Sequence, residues 1–254
     1  MSRLHRAAGT RILNGDAMLR KMMNLALARV RPGKQIANEV GGVDLMLYLA
    51  EQSWNALRGT LLSLRCKRAG VCFVGRNVRL RFARNIEIGR YATIGDGAIL
   101  SGLGRDGLRL GARVNIGAYS RLIVGTDVAR PGSHIHIDDG CGIGEYSSVG
   151  GSGGVSIGKN TIIGQYFSAH PENHNFKDLS RPIREQGTTR KPIAIEEDCW
   201  LGARVTVLGG VTIGRGSVIA ASSVITHDVA PFSIVAGIPG RVVGSRRGDD
   251  HDRT

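Results

Sequence analysis

The chain has 254 residues, 42% of them hydrophobic, which excludes wholesale disorder and leaves room for one large domain and an appendage. Its 37 glycines beside only 5% aromatics argue against a core built on aromatic volume and for many regular, tight corners. A formal charge of +13 favours anionic partners, but there is no aromatic RNA-binding signature, helix-turn-helix pattern or zinc-finger spacing, so nucleic acid is not expected.

Residues 1–70 hold twelve Lys/Arg against four Asp/Glu and no repeat. The opening Met1-Ser2-Arg3-Leu4-His5-Arg6 lacks the apolar stretch of a signal peptide, and no run of 18 apolar residues occurs, so the expectation is a cytoplasmic chain without a membrane span. From Val43 to Leu64, the leucines Leu45, Leu49, Leu57, Leu61 and Leu64 fall at helical spacing and lead into Arg65-Cys66-Lys67-Arg68. Two readings stand. The helix covers the open end of the region that follows, where unpaired strand edges would invite aggregation. Alternatively, residues 1–68 form a basic amphipathic segment in peripheral contact with an anionic membrane, at its inner face.

Residues 71–243 carry a six-residue repeat: aliphatic, small or acidic, two variable positions, small, variable. Ile88-Gly89-Arg90-Tyr91-Ala92 and Ile94-Gly95-Asp96-Gly97-Ala98 begin it, and Ile213-Gly214-Arg215-Gly216-Ser217 and Ile219-Ala220-Ala221-Ser222-Ser223 are near its end. Each hexad supplies a short strand and a corner, with the aliphatic residue pointing inward and the residue after it turning the corner. Three hexads close an 18-residue coil, and coils stack about 4.8 Å apart through parallel hydrogen bonds. The predicted fold is therefore an all-β solenoid, a parallel β-helix, preceded by a helical segment. Cys141 and Cys199 occupy small positions of the repeat and are expected to be buried fillers; with no C-x-x-C pair, a reducing compartment fits. Ile195 to Ile213 spans one coil, but Ile157 to Ile195 spans 38 residues, so roughly residues 169–192 leave the prism as a loop. Residues 244–254 are charged and expected to be a disordered tail. His134 and His136 flank an inward Ile135 and receive no role.

The extruded segment reads Ser168-Ala169-His170-Pro171-Glu172-Asn173-His174. With the repeat, Cys199-Trp200-Leu201-Gly202 and Ala236-Gly237-Ile238-Pro239-Gly240-Arg241-Val242, it resembles the acetyl-CoA-dependent O-acetyltransferases of galactosides, maltose and bacterial polysaccharides. The resemblance covers residues 71–243 and is densest after His170. It implies a left-handed coil and a homotrimer with sites between subunits. It also implies acetyl-CoA as donor substrate, no metal, and a sugar or glycan acceptor in polysaccharide or glycolipid assembly. By the same resemblance His170 is the catalytic base, Ala203, Ala221 and Thr226 line the coenzyme groove, and Arg241 reaches its phosphate. The chain departs from the family's pattern at His227, where Lys is common, and at Gly240, where Ala is common.

The chemistry suits these residues. A sugar hydroxyl ionises far above pH 7, and a neutral imidazole can take its proton as it attacks the thioester. A loop histidine without a chemical role is the plain alternative for His170. His174 either orients His170, touches acceptor, or is loop structure. A metal pair of His170 and His174 is disfavoured because Pro171 opposes the helix that would align them. Trp200 projects outward, to wall the cleft as a substrate contact or to anchor a trimer. An N-acyltransferase on a nucleotide-linked amino sugar, a γ-type carbonic anhydrase and a noncatalytic scaffold are alternative uses of such a prism.

Overall fold

The computed structural model describes residues 18, 20–25, 27–30, 33–37 and 39–247, and the chain divides into two units, Met1–Leu57 and Arg58–Thr254. In the first unit, residues 20–25 and 27–30 are helical. The Arg20 guanidinium donates to the Ala37 carbonyl and, at 2.8 Å, to that of Val40, while the Asn24 side-chain oxygen accepts the Ile36 N–H at 2.8 Å. The predicted helix forms over Gly42–Ser63, with Asp44 in the first turn, where a carboxylate complements the helix dipole. Among the described residues no helix is long and apolar enough to cross a membrane.

The second unit is a left-handed parallel β-helix. Its first face runs from Arg68–Ala69 to Thr212–Ile213, and its second from Phe73–Val74 to Ser233–Ala236. The third face runs from Arg79–Arg81 to Val224–Ile225. Register places like on like: Ile94, Ile116, Ile143, Ile163, Leu201 and Ile219 are successive partners on the second face, all buried. Each such side chain is worth about 1.5–3 kcal/mol when removed from water, so the repeat's inward ladder is the main cohesive force. Cys141 and Cys199 are buried in the same core as expected, and burial pushes the Cys141 thiol up to about 11.

The corners are built differently from the reading of the repeat. The left-handed residue lies three places after the aliphatic one and is rarely glycine: Tyr91, Arg113, Tyr119, Tyr146, Asn160 and Tyr166 all hold φ near +60°. Glycine directly after the aliphatic residue is required by stacking instead. A Cβ on Gly117 would lie 2.4 Å from the Glu145 backbone nitrogen of the next coil. On the corner between the second and third faces the tyrosines form a ladder, Tyr119 on Tyr146 and Tyr146 on Tyr166, each pair with centroids 5.3 Å apart, and Arg204 lies over Tyr166.

The prism's limits also shift. Strand pairing begins at Arg68, not residue 71, because Arg68–Ala69 pairs with Glu87–Ile88. At the other end Arg241–Ser245 folds back antiparallel onto Ser233–Ala236 and covers that sheet edge. Arg246 then donates to the Gly216 carbonyl at 2.7 Å and pairs with Asp198. The expected disorder therefore does not hold for residues 244–247, which the sheet and these contacts order; residues 248–254 lie outside the described residues. The covering role expected of Leu57 and Leu61 is likewise corrected: both are exposed, at 48% and 59%. Within the second unit the first coil instead meets Arg58, whose guanidinium donates to the Val74 carbonyl at 2.9 Å. It also meets Gly59, where a Cβ would lie 2.1 Å from the Cys72 carbonyl, and the partly buried Leu62 and Cys66. His134 and His136 do not simply face solvent. Their rings stack at 4.4 Å, His134 Nδ1 and Nε2 contact Ser133 and Ser156, and His136 Nε2 is buried. Burial and the neighbouring His136 hold His134 below its ordinary pKa.

Candidate active site

His170 ends the strand Ser168–His170 on the third face, where Ala169 is a buried core position and Ser168 and His170 face outward. The strand is paired on both sides, with Ser148–Gly150 and Thr206–Leu208. The expected loop 169–192 is thus corrected at its start. Ala169 fills the small-residue slot of the prism, so the chain leaves at Pro171 and returns before Ile193. His170 therefore stands on the rigid scaffold at the root of the excursion. Its Nε2 lies 2.6 Å from Ser168 Oγ, two residues back on the same strand.

The excursion is a hairpin, Glu172–His174 antiparallel to Thr188–Arg190, carrying a loop of residues 175–187. His174 pairs with Thr188 in this hairpin and is exposed; no hydrogen bond joins it to His170 among the described residues. Arg190 clamps the hairpin down. It donates to Glu172 at 2.7 Å and to the carbonyls of Pro131 and Arg130 at 2.9 and 3.2 Å. Burial works against Glu172's charge, but donors from Ser152, Thr188 and Arg190 outweigh it and hold the carboxyl below the usual carboxylate range.

The segment gripped by Arg190 is a second, shorter excursion, residues 124–131, which the repeat reading missed. Its signal was present: the register partners Leu110 and Ile137 lie 27 positions apart, where one coil takes 18. Between this segment and the hairpin lies a cleft of about 440 Å³ whose floor is Arg121, Ser148 and Gly150 of the third face. The floor strand Ser148–Gly150 is the immediate neighbour of the His170 strand.

The remaining predicted residues gather elsewhere. Ala203 and Ala221 are successive rungs on the corner between the second and third faces, since a Cβ on Gly202 would touch the Ala221 nitrogen at 2.6 Å. Gly240 donates to the Val224 carbonyl at 2.8 Å, which sets Arg241 beside the strand leading to Thr226; Thr226 Oγ1 in turn meets His227 Nδ1 at 2.8 Å. A Cβ at Gly240 would lie 2.7 Å from the Ile225 side chain, a physical reason for glycine there. Ala203, Ala221, Thr226 and Arg241 thus collect toward the C-terminal end of the prism. Trp200 is 58% exposed on the second face, paired in register with the exposed Ile162, and so lies on a different face from His170. One chain does not bring Trp200 and His170 together.

A family model, bacterial transferase hexapeptide (six repeats), matches residues 192–227. A probable acetyltransferase of Mycobacterium tuberculosis, Rv3034c, is 27% identical over 197 residues, covering 76% of this chain and 56% of its own length. The galactoside O-acetyltransferase of Escherichia coli is 36% identical over 104 residues, covering 39% and 47%. The chain spans about half the length of these two curated relatives. Among solved structures, AntD, an N-acyltransferase from Bacillus cereus in complex with dTDP and coenzyme A, superposes with a TM-score of 0.51 at 19% identity. That match covers 74% of this chain and 88% of AntD, a likeness of fold. Repeat, prism and relatives together place the chain in the hexapeptide-repeat acetyltransferase family.

Proposed function

We propose that the protein transfers acetyl from acetyl-CoA to a sugar hydroxyl, with His170 as general base. The observation that carries this reading is the outward His170 imidazole on a doubly paired strand, beside a polar cleft, with its Nε2 already 2.6 Å from a hydroxyl. That distance is what proton abstraction from an attacking hydroxyl requires. The hydroxyl oxygen bonds to the thioester carbonyl carbon as its proton passes to the imidazole. The carbon–sulfur bond then breaks, and the imidazolium returns the proton to the departing thiolate. No covalent enzyme intermediate is needed.

Coenzyme is proposed to lie along the corner of Ala203 and Ala221 toward Thr226 and Arg241, with the Arg241 guanidinium on phosphate. A homotrimer is proposed because it would set the second face of one protomer, with Trp200, against the third face of another, with His170. The glycan setting, in polysaccharide or glycolipid assembly, and the cytoplasmic location belong to the same proposal. So does peripheral contact with an anionic membrane through the N-terminal segment.

The test is thiol release from acetyl-CoA in the presence of sugar acceptors. His170→Ala should keep the fold and lower turnover by at least about 10²-fold, the scale of a lost general base. Near wild-type turnover would overturn the role of His170. Lability of the product to hydroxylamine marks an ester, whereas a resistant product marks an amide and N-transfer.

A further inference from the structure

The cleft between residues 124–131 and the hairpin has an uneven charge balance. Arg190 is fully committed to Glu172 and to the carbonyls of Pro131 and Arg130. The Asp127 carboxylate is turned to its own segment, accepting the Ala129 N–H at 2.9 Å. Arg121 on the floor and Arg130 on the wall are both exposed, and among the described residues neither is ion-paired; Arg130 donates only to the neutral Thr188 hydroxyl at 3.2 Å. Two planar guanidinium forks therefore open onto one polar cleft, a pairing that recognises phosphate or carboxylate far better than a neutral sugar. Hydroxyls of Ser148, Ser152 and Thr126 line the remaining surface, where ring hydroxyls can bond. Gly150 leaves the floor open at the strand next to His170.

Spacing fits the idea. The strands of Arg121, Ser148 and Ser168–His170 are consecutive on the third face, so the arginine and histidine strands lie two steps, about 10 Å, apart. A single sugar carrying one anionic group can bridge that distance with the Arg121 side chain. Below the cleft, Arg79 continues the row of Arg121 through Ile99 and faces solvent, which extends the positive field along this face.

We propose that this cleft is the acceptor site and selects a sugar bearing a phosphate or carboxylate, seated between Arg121 and Arg130 with a hydroxyl directed toward His170. The proposal rests on the reading of His170 as base, so its test is a binding measurement that needs no turnover. The full chain is titrated calorimetrically with glucose 1-phosphate, glucuronate, methyl glucoside and coenzyme A. At least one anionic sugar should bind about tenfold or more tightly than methyl glucoside, and the preferred one tells phosphate from carboxylate. Arg121→Gln combined with Arg130→Gln should weaken anionic sugars by at least about tenfold, the scale of one lost charge-assisted contact, and leave coenzyme A unchanged. Arg121→Lys, which keeps the charge, should retain part of the preference and controls for folding.

Absence of binding by both anionic sugars, equal binding of methyl glucoside, or an unaltered double variant would each overturn the proposal. So would a double variant that loses coenzyme A instead, since the cleft would then belong to the donor. Retained anion binding by a His170→Ala protein with normal turnover would refute the base and leave the acceptor site standing.

Discussion

An imidazole on an open sheet face is a useful base only if its ring is held, and at His170 the visible hold is a single contact to Ser168 Oγ at 2.6 Å. Ser168 is a positioning residue in this account. Such a bond is worth about 0.5–1.5 kcal/mol, so Ser168→Ala should lower kcat about three- to tenfold with little change in KM for acetyl-CoA. The pH–rate profile should move as the ring's second nitrogen loses its fixed partner, and Ser168→Thr should restore both. Unchanged kcat and profile in Ser168→Ala would make the contact incidental. Glycine teaches a different residue-scale lesson. Its abundance correctly signalled a chain of corners, yet the positive-φ positions went to Tyr91, Arg113, Tyr146 and their like. Glycine was kept at places such as Gly117, where the next coil's backbone leaves no room for a Cβ. Composition could announce close packing of turns but not which of the two constraints, torsion or stacking, each glycine answers.

Among elements, the prism was legible because its information is local and periodic: inward Ile and Leu recur every hexad and fall into register partner by partner. The Gly42–Ser63 helix was legible for the same reason, from 3.6-residue spacing. The cleft was not. Its clamp joins Arg190 to Glu172 and to the carbonyls of Arg130 and Pro131, 18 to 60 positions away, and no pattern in the chain points across such gaps. The clamp carries a pH dependence. Glu172 is held below its ordinary carboxylate pKa, so its contribution to hairpin docking is complete above that ordinary value and is lost as pH falls through the lower folded value. Glu172→Gln at neutral pH imitates the protonated state. Because the pair is partly solvated, its own worth is only about 0.2–1 kcal/mol. Arg190→Ala removes the two main-chain contacts as well and should do more. Both variants should quicken proteolysis within residues 175–187, Arg190→Ala the more, and neither should shift the melting of the prism. Equal proteolysis in all three proteins would show that the hairpin does not depend on this clamp.

At the scale of the whole molecule the unanswered surface is on the N-terminal helix. Leu47, Trp54, Leu57, Leu61 and Leu64 repeat at intervals of three, four or seven and are all exposed, Leu64 at 81%. Such a stripe is wide for a solvated helix, and its chain neighbours Arg58, Arg65, Lys67 and Arg68 are basic. The first coil is already met by Arg58, Gly59, Leu62 and Cys66, so covering it does not account for the stripe. An anionic bilayer does: apolar side chains enter the interface, and each nearby Lys or Arg adds on the order of 1 kcal/mol, weakened by salt. The intact chain should therefore sediment with phosphatidylserine vesicles at low salt, less so at high salt, and not with phosphatidylcholine alone. Leu57→Glu with Leu61→Glu should abolish sedimentation while the oligomeric state, the melting temperature and acetyl transfer to a soluble sugar stay as they were. If the double variant instead changes the oligomeric state and vesicle binding was never present, the stripe is buried between copies of the chain and the membrane reading fails. The membrane outcome would give a cationic prism face and a lipid-seeking helix one common purpose, to keep the enzyme where anionic glycans are built.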